Sequence, residues 1–199
     1  MAEEAREGWV PTVPQLLFVG YMRPEKGIEV LLDAFAQLWC QRRLRLTIVG
    51  GVDKGRTRAG ERVRSRLERE EWGKDVRVVG EVAFGETLFD LYRSHDLLVL
   101  PSLSEGTPRV LVEARAFGCP VIASRVGGIP DSVNDGEDGL LVRAGDANQL
   151  ALAVGRLLDD RELYRKLSMN GLARAHSLSL ESFAASLLDD LESLLEGAQ

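Results

Sequence analysis

Short apolar runs alternate along this chain with longer stretches of helical periodicity. The runs at 16–20, 44–49, 76–79, 97–100 and 121–124 are rich in Leu, Val and Ile and read as buried strands. Between them, 27–42, 60–72, 86–94 and 108–117 carry apolar residues at helical spacing, and each is long enough for a crossover between parallel strands. A further strand is predicted at 139–142, after the turn signals Asn134-Asp-Gly and Glu137-Asp-Gly. Helices are then predicted at 146–158, 162–175 and 180–195, the last with Leu180, Phe183, Leu187, Leu191 and Leu194 along one side. The pattern predicts an α/β fold with a doubly wound parallel sheet. It divides the chain into a lead-in at 1–14, one domain over 15–177, and a C-terminal helix at 178–199 packed on that domain.

Ligands in such sheets sit beyond the carboxyl ends of the strands, which singles out the loops 20–27, 50–60, 80–85 and 101–108. The last of these opens the segment Ser102-Leu-Ser-Glu-Gly-Thr-Pro-Arg-Val-Leu-Val-Glu113. Thr107 suits an N-cap and Pro108 a first helical position, so a helix is expected to begin near Pro108. Pro108 has no N–H to give. The amides of Arg109 and Val110 are then its first free donors and, with the positive end of the helix dipole, a site for phosphate. Glu105 before the helix and Glu113 within it are placed to accept hydrogen bonds from sugar hydroxyls on either side. Read singly, the two are a loop charge and an ordinary first-turn acid. The first loop adds two cations, Arg23 and Lys26, between Gly20 and Gly27, whose lack of a side chain lets backbone approach a ligand.

The motifs Phe18-Val-Gly20, Arg23-Pro-Glu-Lys-Gly27, His95-Asp-Leu-Leu-Val-Leu-Pro-Ser102, Glu105 and Glu113 with seven residues between them, Gly118-Cys-Pro120 and Gly127-Gly-Ile-Pro130 follow one another in a familiar order. From about Leu16 onward the chain resembles the C-terminal domain of retaining GT-B glycosyltransferases, the group 1 family. The resemblance implies a Rossmann-like half of a GT-B fold that binds a nucleotide-diphosphate-sugar donor. It implies transfer of a hexosyl group with retention, with no cofactor and no metal. Glu105 matches the glutamate that contacts the transferred sugar and supports charge at it, so it is the catalytic candidate. The donor-binding candidates are Gly20, Arg23, Lys26, Val82, Thr107, Arg109, Val110 and Glu113. Val82 stands in Gly80-Glu-Val82, which resembles the loop on which the base lies, and Glu113 falls to the ribose.

Two positions depart from the family pattern. Tyr21 stands where an arginine commonly follows the first glycine, and Pro108 where glycine is frequent. The acceptor-binding N-terminal domain of a GT-B enzyme does not fit in this length, so an acceptor domain or subunit is an expected partner. The isolated chain is expected to bind donor weakly and transfer little. The alternative is a non-catalytic GT-B-like interaction module with a vestigial donor pocket, which Tyr21 favours. A dinucleotide-binding domain is disfavoured because the first loop lacks Gly-x-Gly-x-x-Gly spacing.

A hydrophobic content of 45% over 199 residues supports one buried core. The net charge of −6 argues against nucleic-acid binding. Cys40 and Cys119 lack CxxC spacing and, with no signal-peptide pattern and no bilayer-length apolar run, predict a cytoplasmic protein without a transmembrane segment. The arginines of 56–69 are interleaved with Glu61, Glu68, Glu70 and Glu71 and read as a solvated helix face. The sharper reading of that face is contact with an anionic acceptor or, peripherally, a membrane surface. His95 and His176 read as structural. Asp159-Asp160 and Asp189-Asp190 lack further ligands for a metal. Gly127-Gly128 suits either a pocket wall or a simple turn.

Overall fold

β1 (Gln15–Val19), β2 (Arg45–Val49), β3 (Val76–Gly80), β4 (Leu97–Leu100), β5 (Val121–Ser124) and β6 (Leu140–Val142) form one sheet in the computed structural model, which describes residues 12–51 and 58–178. The order is β3-β2-β1-β4-β5-β6 and every pairing is parallel. Seven helices connect and cover the strands among the described residues: α1 (Ile28–Trp39), α2 (Arg58–Arg69), α3 (Glu86–Ser94), α4 (Arg109–Ala116), α5 (Ile129–Ser132), α6 (Ala147–Asp159) and α7 (Arg161–Ser177). This is the doubly wound, Rossmann-like arrangement. The direction of winding reverses between β1 and β4, and the crevice at that switch point is bounded by the loops 20–27 and 101–108.

The period-2 alternation of a strand explains the two cores. Leu16 and Phe18 of β1, with Leu97 and Val99 of β4, pack toward Leu31 and Phe35 of α1 and Leu150 and Val154 of α6. Leu17, Leu98 and Leu100 point the other way, onto Leu88 and Tyr92 of α3 and Leu111 and Ala114 of α4. Both faces of the central strands are therefore covered, which is why they read as unbroken apolar runs.

The predicted elements differ from the observed ones mainly at their ends. The helix expected over 60–72 stops at Arg69 and gives way to a 3-10 turn, Glu71–Asp75. Trp72 is buried edge-on to Phe35 at 5.8 Å, and Gly73 lies so close to Leu67 that a Cβ would meet its carbonyl oxygen at 2.0 Å. Packing of that tryptophan turns the chain out of the helix. The helix expected over 27–42 ends at Trp39, and α5, a single turn, has no counterpart in the sequence reading. The predicted 180–195 helix and most of the 1–14 lead-in lie outside the described residues. No helix among those described is long and apolar enough to cross a membrane.

Arginine and aspartate are both buried between α4 and α7. Arg115, on α4, is fully buried. Its Nε donates to the Leu111 carbonyl at 3.2 Å, and its Nη1 to the Ser132 carbonyl at 2.9 Å and to Asp138 Oδ1 at 3.1 Å. Asp138 also pairs with Arg174 of α7 at 3.3 Å. Burial pushes the Arg115 guanidinium below its ordinary pKa, with Asp138 opposing that shift. Asp138→Asn should thus leave a buried cation uncompensated and lower stability by about 3 kcal/mol, whereas the apolar pair Arg115→Met with Asp138→Leu should restore only part of the loss, because Arg174 and the Asn134 amide also lose their acceptor. Urea midpoints of the three proteins check this; equal midpoints for wild type and Asp138→Asn would refute it.

Candidate active site

The first loop is held down at both ends. Gly20 N–H donates to the Val49 carbonyl at 2.8 Å and Met22 N–H to the Gly51 carbonyl at 3.1 Å, so the chain leaving β1 stays against the end of β2. A 3-10 turn, Pro24–Lys26, then closes on Gly27, whose φ of 66° lies in the left-handed region. A Cβ there would sit 1.9 Å from the Pro101 carbonyl oxygen, so only glycine permits the first loop to touch the loop after β4. Leu103 N–H donates to the Glu25 carbonyl at 2.7 Å and fastens the two loops together.

That contact brings the sequence candidates of both loops into one cluster. Lys26 Nζ donates to Glu105 Oε1 at 2.6 Å, and the buried Ser102 hydroxyl donates to the same oxygen at 2.9 Å. The glutamate side chain is 9% exposed and the lysine 27%. Arg23 lies elsewhere on the loop, its guanidinium 5.4 Å from the centre of the Tyr21 ring and 3.9 Å from Glu25. The sequence singled out Lys26 and Glu105 but not Ser102, whose signal is its position three residues before the glutamate.

The helix start differs from expectation by one residue. Thr107 is not the N-cap: Pro108 is, with φ −76° and ψ 115°, and the first helical residue is Arg109. An extended ψ ends the turn before the proline ring can serve as first helical position, and no side chain caps the terminus. Thr107 is exposed, and a Cβ on Gly128 would meet its Oγ1 at 3.0 Å. Leu111 N–H reaches back to the Pro108 carbonyl at 3.3 Å, while the amides of Arg109 and Val110 have no partner among the described residues. Those two donors are open to an anion at the positive helix end.

Glu113 lies one turn beyond Arg109 on the same face of α4. Its Oε2 accepts from the Tyr92 hydroxyl at 2.9 Å, leaving Oε1 available to a ligand. Tyr92 is fully buried and stacks on Phe117 at 6.0 Å between centroids. Burial, then the Glu113 charge, push the Tyr92 phenol far above its ordinary pKa. Val82, beyond β3, is half-buried against the same apolar cluster as Tyr92. Nothing but a lone hydroxyl on the apolar side of α3 marks Tyr92 in the sequence.

Gly127-Gly128 proves to be a strap across the site loop. Gly127, with φ 52°, approaches the Glu105 carbonyl oxygen to where a Cβ would stand at 1.8 Å, and Gly128 N–H donates to the Gly106 carbonyl at 3.0 Å. His95 lies away from this cluster. Its Nδ1 donates to the Leu91 carbonyl, which can only accept, at 2.7 Å, and its Nε2 lies 2.8 Å from the Thr47 hydroxyl. Asp159 pairs with Arg42 at 2.7 Å, and no group of three His, Cys, Asp or Glu side chains among the described residues is arranged to hold a metal. Asp189-Asp190 lie outside them.

The sheet order and its switch-point crevice define a Rossmann-like domain, with a cation, two carboxylates and an open helix terminus at the crevice. The family model for group 1 glycosyl transferases matches residues 13–160. A D-inositol 3-phosphate glycosyltransferase of Nocardia farcinica is 35% identical over 98% of this chain and 44% of its own length. One of Corynebacterium efficiens is 36% identical over 92% of this chain and 43% of its own. The chain thus spans less than half the length of these curated relatives. Among solved structures, sucrose-phosphate synthase from Thermosynechococcus elongatus matches 94% of this chain and 46% of its own at 36% identity and a TM-score of 0.78. Anabaena HepE in complex with UDP-glucose matches 92% of this chain and 50% of its own at 25% identity and a TM-score of 0.80. The chain belongs to the group 1 glycosyltransferases, as the C-terminal, Rossmann-like half of a GT-B fold.

Two measurements follow from this geometry. Gly27→Ala should lower stability by at least ~2 kcal/mol, against ~1 kcal/mol for Gly136→Ala, because Gly136 shares the left-handed φ but has nothing within 4 Å of a Cβ. Denaturant titration separates strain from clash, and equal losses would show that the Gly27–Pro101 approach carries no constraint. For Tyr92, a folded pKa raised above the free value of about 10 gives stability that is complete below that pH and lost as pH rises past it. The melting temperature of wild type should therefore fall more steeply above pH ~10 than that of Tyr92→Phe. Parallel curves would contradict the assignment.

Proposed function

We propose that this domain binds a nucleotide-diphosphate sugar at the switch point and serves a retaining hexosyl transfer. Lys26 and the amides of Arg109 and Val110 take the diphosphate, with Arg23 reaching it from the first loop, and Gly20 lets backbone come close to it. Thr107 borders the same phosphate, Glu113 takes the ribose and Val82 supports the base. Glu105 lies beside the transferred sugar. When the bond from the anomeric carbon to the phosphate oxygen breaks, its electron pair leaves with the diphosphate, and the cation and helix terminus stabilise that charge. The Glu105 carboxylate stabilises the positive charge that develops on the sugar. The chemistry requires neither metal nor cofactor in this reading, and the protein acts in the cytoplasm.

The observation that carries the reading is the meeting of Lys26 and Glu105 at 2.6 Å, beside a helix start with two unpartnered amides. The HepE structures in complex with UDP, with UDP and glucose, and with UDP-glucose support it. So does the name shared by the Nocardia and Corynebacterium relatives, which makes an inositol phosphate the first acceptor to try. The acceptor is held by a second domain or subunit, so the domain alone transfers little. A second reading, an interaction module with a vestigial pocket, is favoured by Tyr21, which is 47% exposed with Arg23 laid over its ring.

Calorimetric titration with UDP, GDP, ADP and their sugar conjugates, without added metal, tests the choice. Saturable binding of one nucleotide class is expected, weakened about tenfold by Lys26→Ala and by Glu113→Gln. Failure of every nucleotide at millimolar concentration would overturn the donor-site reading in favour of the interaction module. Unchanged affinity in Glu113→Gln would remove the ribose role.

A further inference from the structure

We propose that Glu105 is the residue by which the site discriminates a sugar-bearing diphosphate from the bare nucleoside diphosphate left after transfer. This rests on the donor-site reading above and adds to it a role in turning product away. The carboxylate uses one oxygen for two donors: Oε1 accepts from Lys26 Nζ at 2.6 Å and from Ser102 Oγ at 2.9 Å. Oε2 has no partner among the described residues. In the free domain the cation meant for phosphate is therefore already neutralised, and half the carboxylate is left to receive hydroxyls.

Glu105 cannot withdraw by moving its loop. Its carbonyl oxygen lies where a Cβ on Gly127 would meet it at 1.8 Å, and the neighbouring Gly106 carbonyl is held by Gly128 N–H at 3.0 Å. On the other side, the amides of Leu103 and Ser104 lie 2.7 and 3.3 Å from the Glu25 carbonyl. A phosphate that reaches Lys26 must then stand near a fixed negative charge that is 9% exposed and weakly screened by salt. The size of that repulsion depends on the ligand. A phosphate capped by a sugar keeps a single charge, whereas a bare terminal phosphate loses a second proton with a pKa near 6 and carries about one charge more at pH 7.5. A sugar also offers hydroxyl donors to Oε2, which a bare phosphate at neutral pH cannot. Lys26 and the helix start attract the extra charge of the product, whereas through the Glu105 carboxylate both differences favour the donor, so that carboxylate is where the two ligands are told apart.

Calorimetric titration of the whole chain at pH 7.5 compares UDP with UDP-glucose, and GDP with GDP-mannose, for wild type, Glu105→Gln, Glu105→Ala and Glu105→Asp. The two neutral variants should bind the bare diphosphate about tenfold more tightly than wild type, without a matching gain for the sugar conjugate. Glu105→Asp, which keeps the charge, should hold the wild-type ratio. Thermal melting identifies any variant that fails to fold, and the two neutral side chains stand in for each other. If the neutral variants bind bare diphosphate no better than wild type, or more weakly, Glu105 orients Lys26 rather than opposing product, and the inference is overturned. A wild type that binds no nucleotide is a different result, which removes the donor-site reading itself.

Discussion

Everything at the carboxyl end of the sheet depends on how closely two loops pass each other. At the switch point the strands diverge in winding, and the space between them would ordinarily fill with side chains or water. Here backbone meets backbone: Gly27 presses on the Pro101 carbonyl, and Leu103 N–H closes the contact from the other side. Because that approach fixes two chain segments, two charges from distant parts of the sequence come within 2.6 Å of one another. The opposing strap at Gly127 leaves the second loop no room to relax. The main chain fixes where the two side chains start, and the Lys26–Glu105 and Ser102–Glu105 bonds fix where they end.

A second layer of order comes from α4. Its first turn supplies open amides and its next turn a carboxylate, and the spacing between them follows from helix geometry alone. The orientation of that carboxylate does not. It is set by Tyr92 from a different helix, which is held in turn by stacking on Phe117. Phe117 follows α4 directly, so the helix that carries Glu113 also helps to fix the tyrosine that orients it.

Much of this was legible in the sequence where a residue's type agrees with its surroundings. Central parallel strands are apolar on both faces, so β1, β4 and β5 announce themselves as runs, and the loops after them locate the crevice. Lys26 and Glu105, in loops after strands, and Glu113, within the helix that follows, stand out through the ordered motifs that carry the family resemblance rather than through their charge alone. The reading failed where packing overrides local preference. Trp72 bends the chain from helix into a 3-10 turn for the sake of its own burial. Thr107 has the chemistry of a cap but yields the place to Pro108, whose ψ is set by the path of the loop. Ser102 and Tyr92 are common polar residues whose roles exist only through partners remote in sequence. Arg115 is the extreme case, since nothing in a charged side chain on a surface-like helix foretells complete burial.

That arginine gives α4 an unusual mechanical character. Its far end is rooted by guanidinium bonds to the Ser132 carbonyl and to Asp138, and through Asp138 to Arg174 of α7. Its near end, with no side-chain cap, projects toward the crevice. The helix is therefore a pinned beam, held at its root by this charge network and near its tip by the burial of Leu111 and the bond from Gly128 N–H to the Gly106 carbonyl. Two supports fix its axis, so the open amides of its first turn keep one direction.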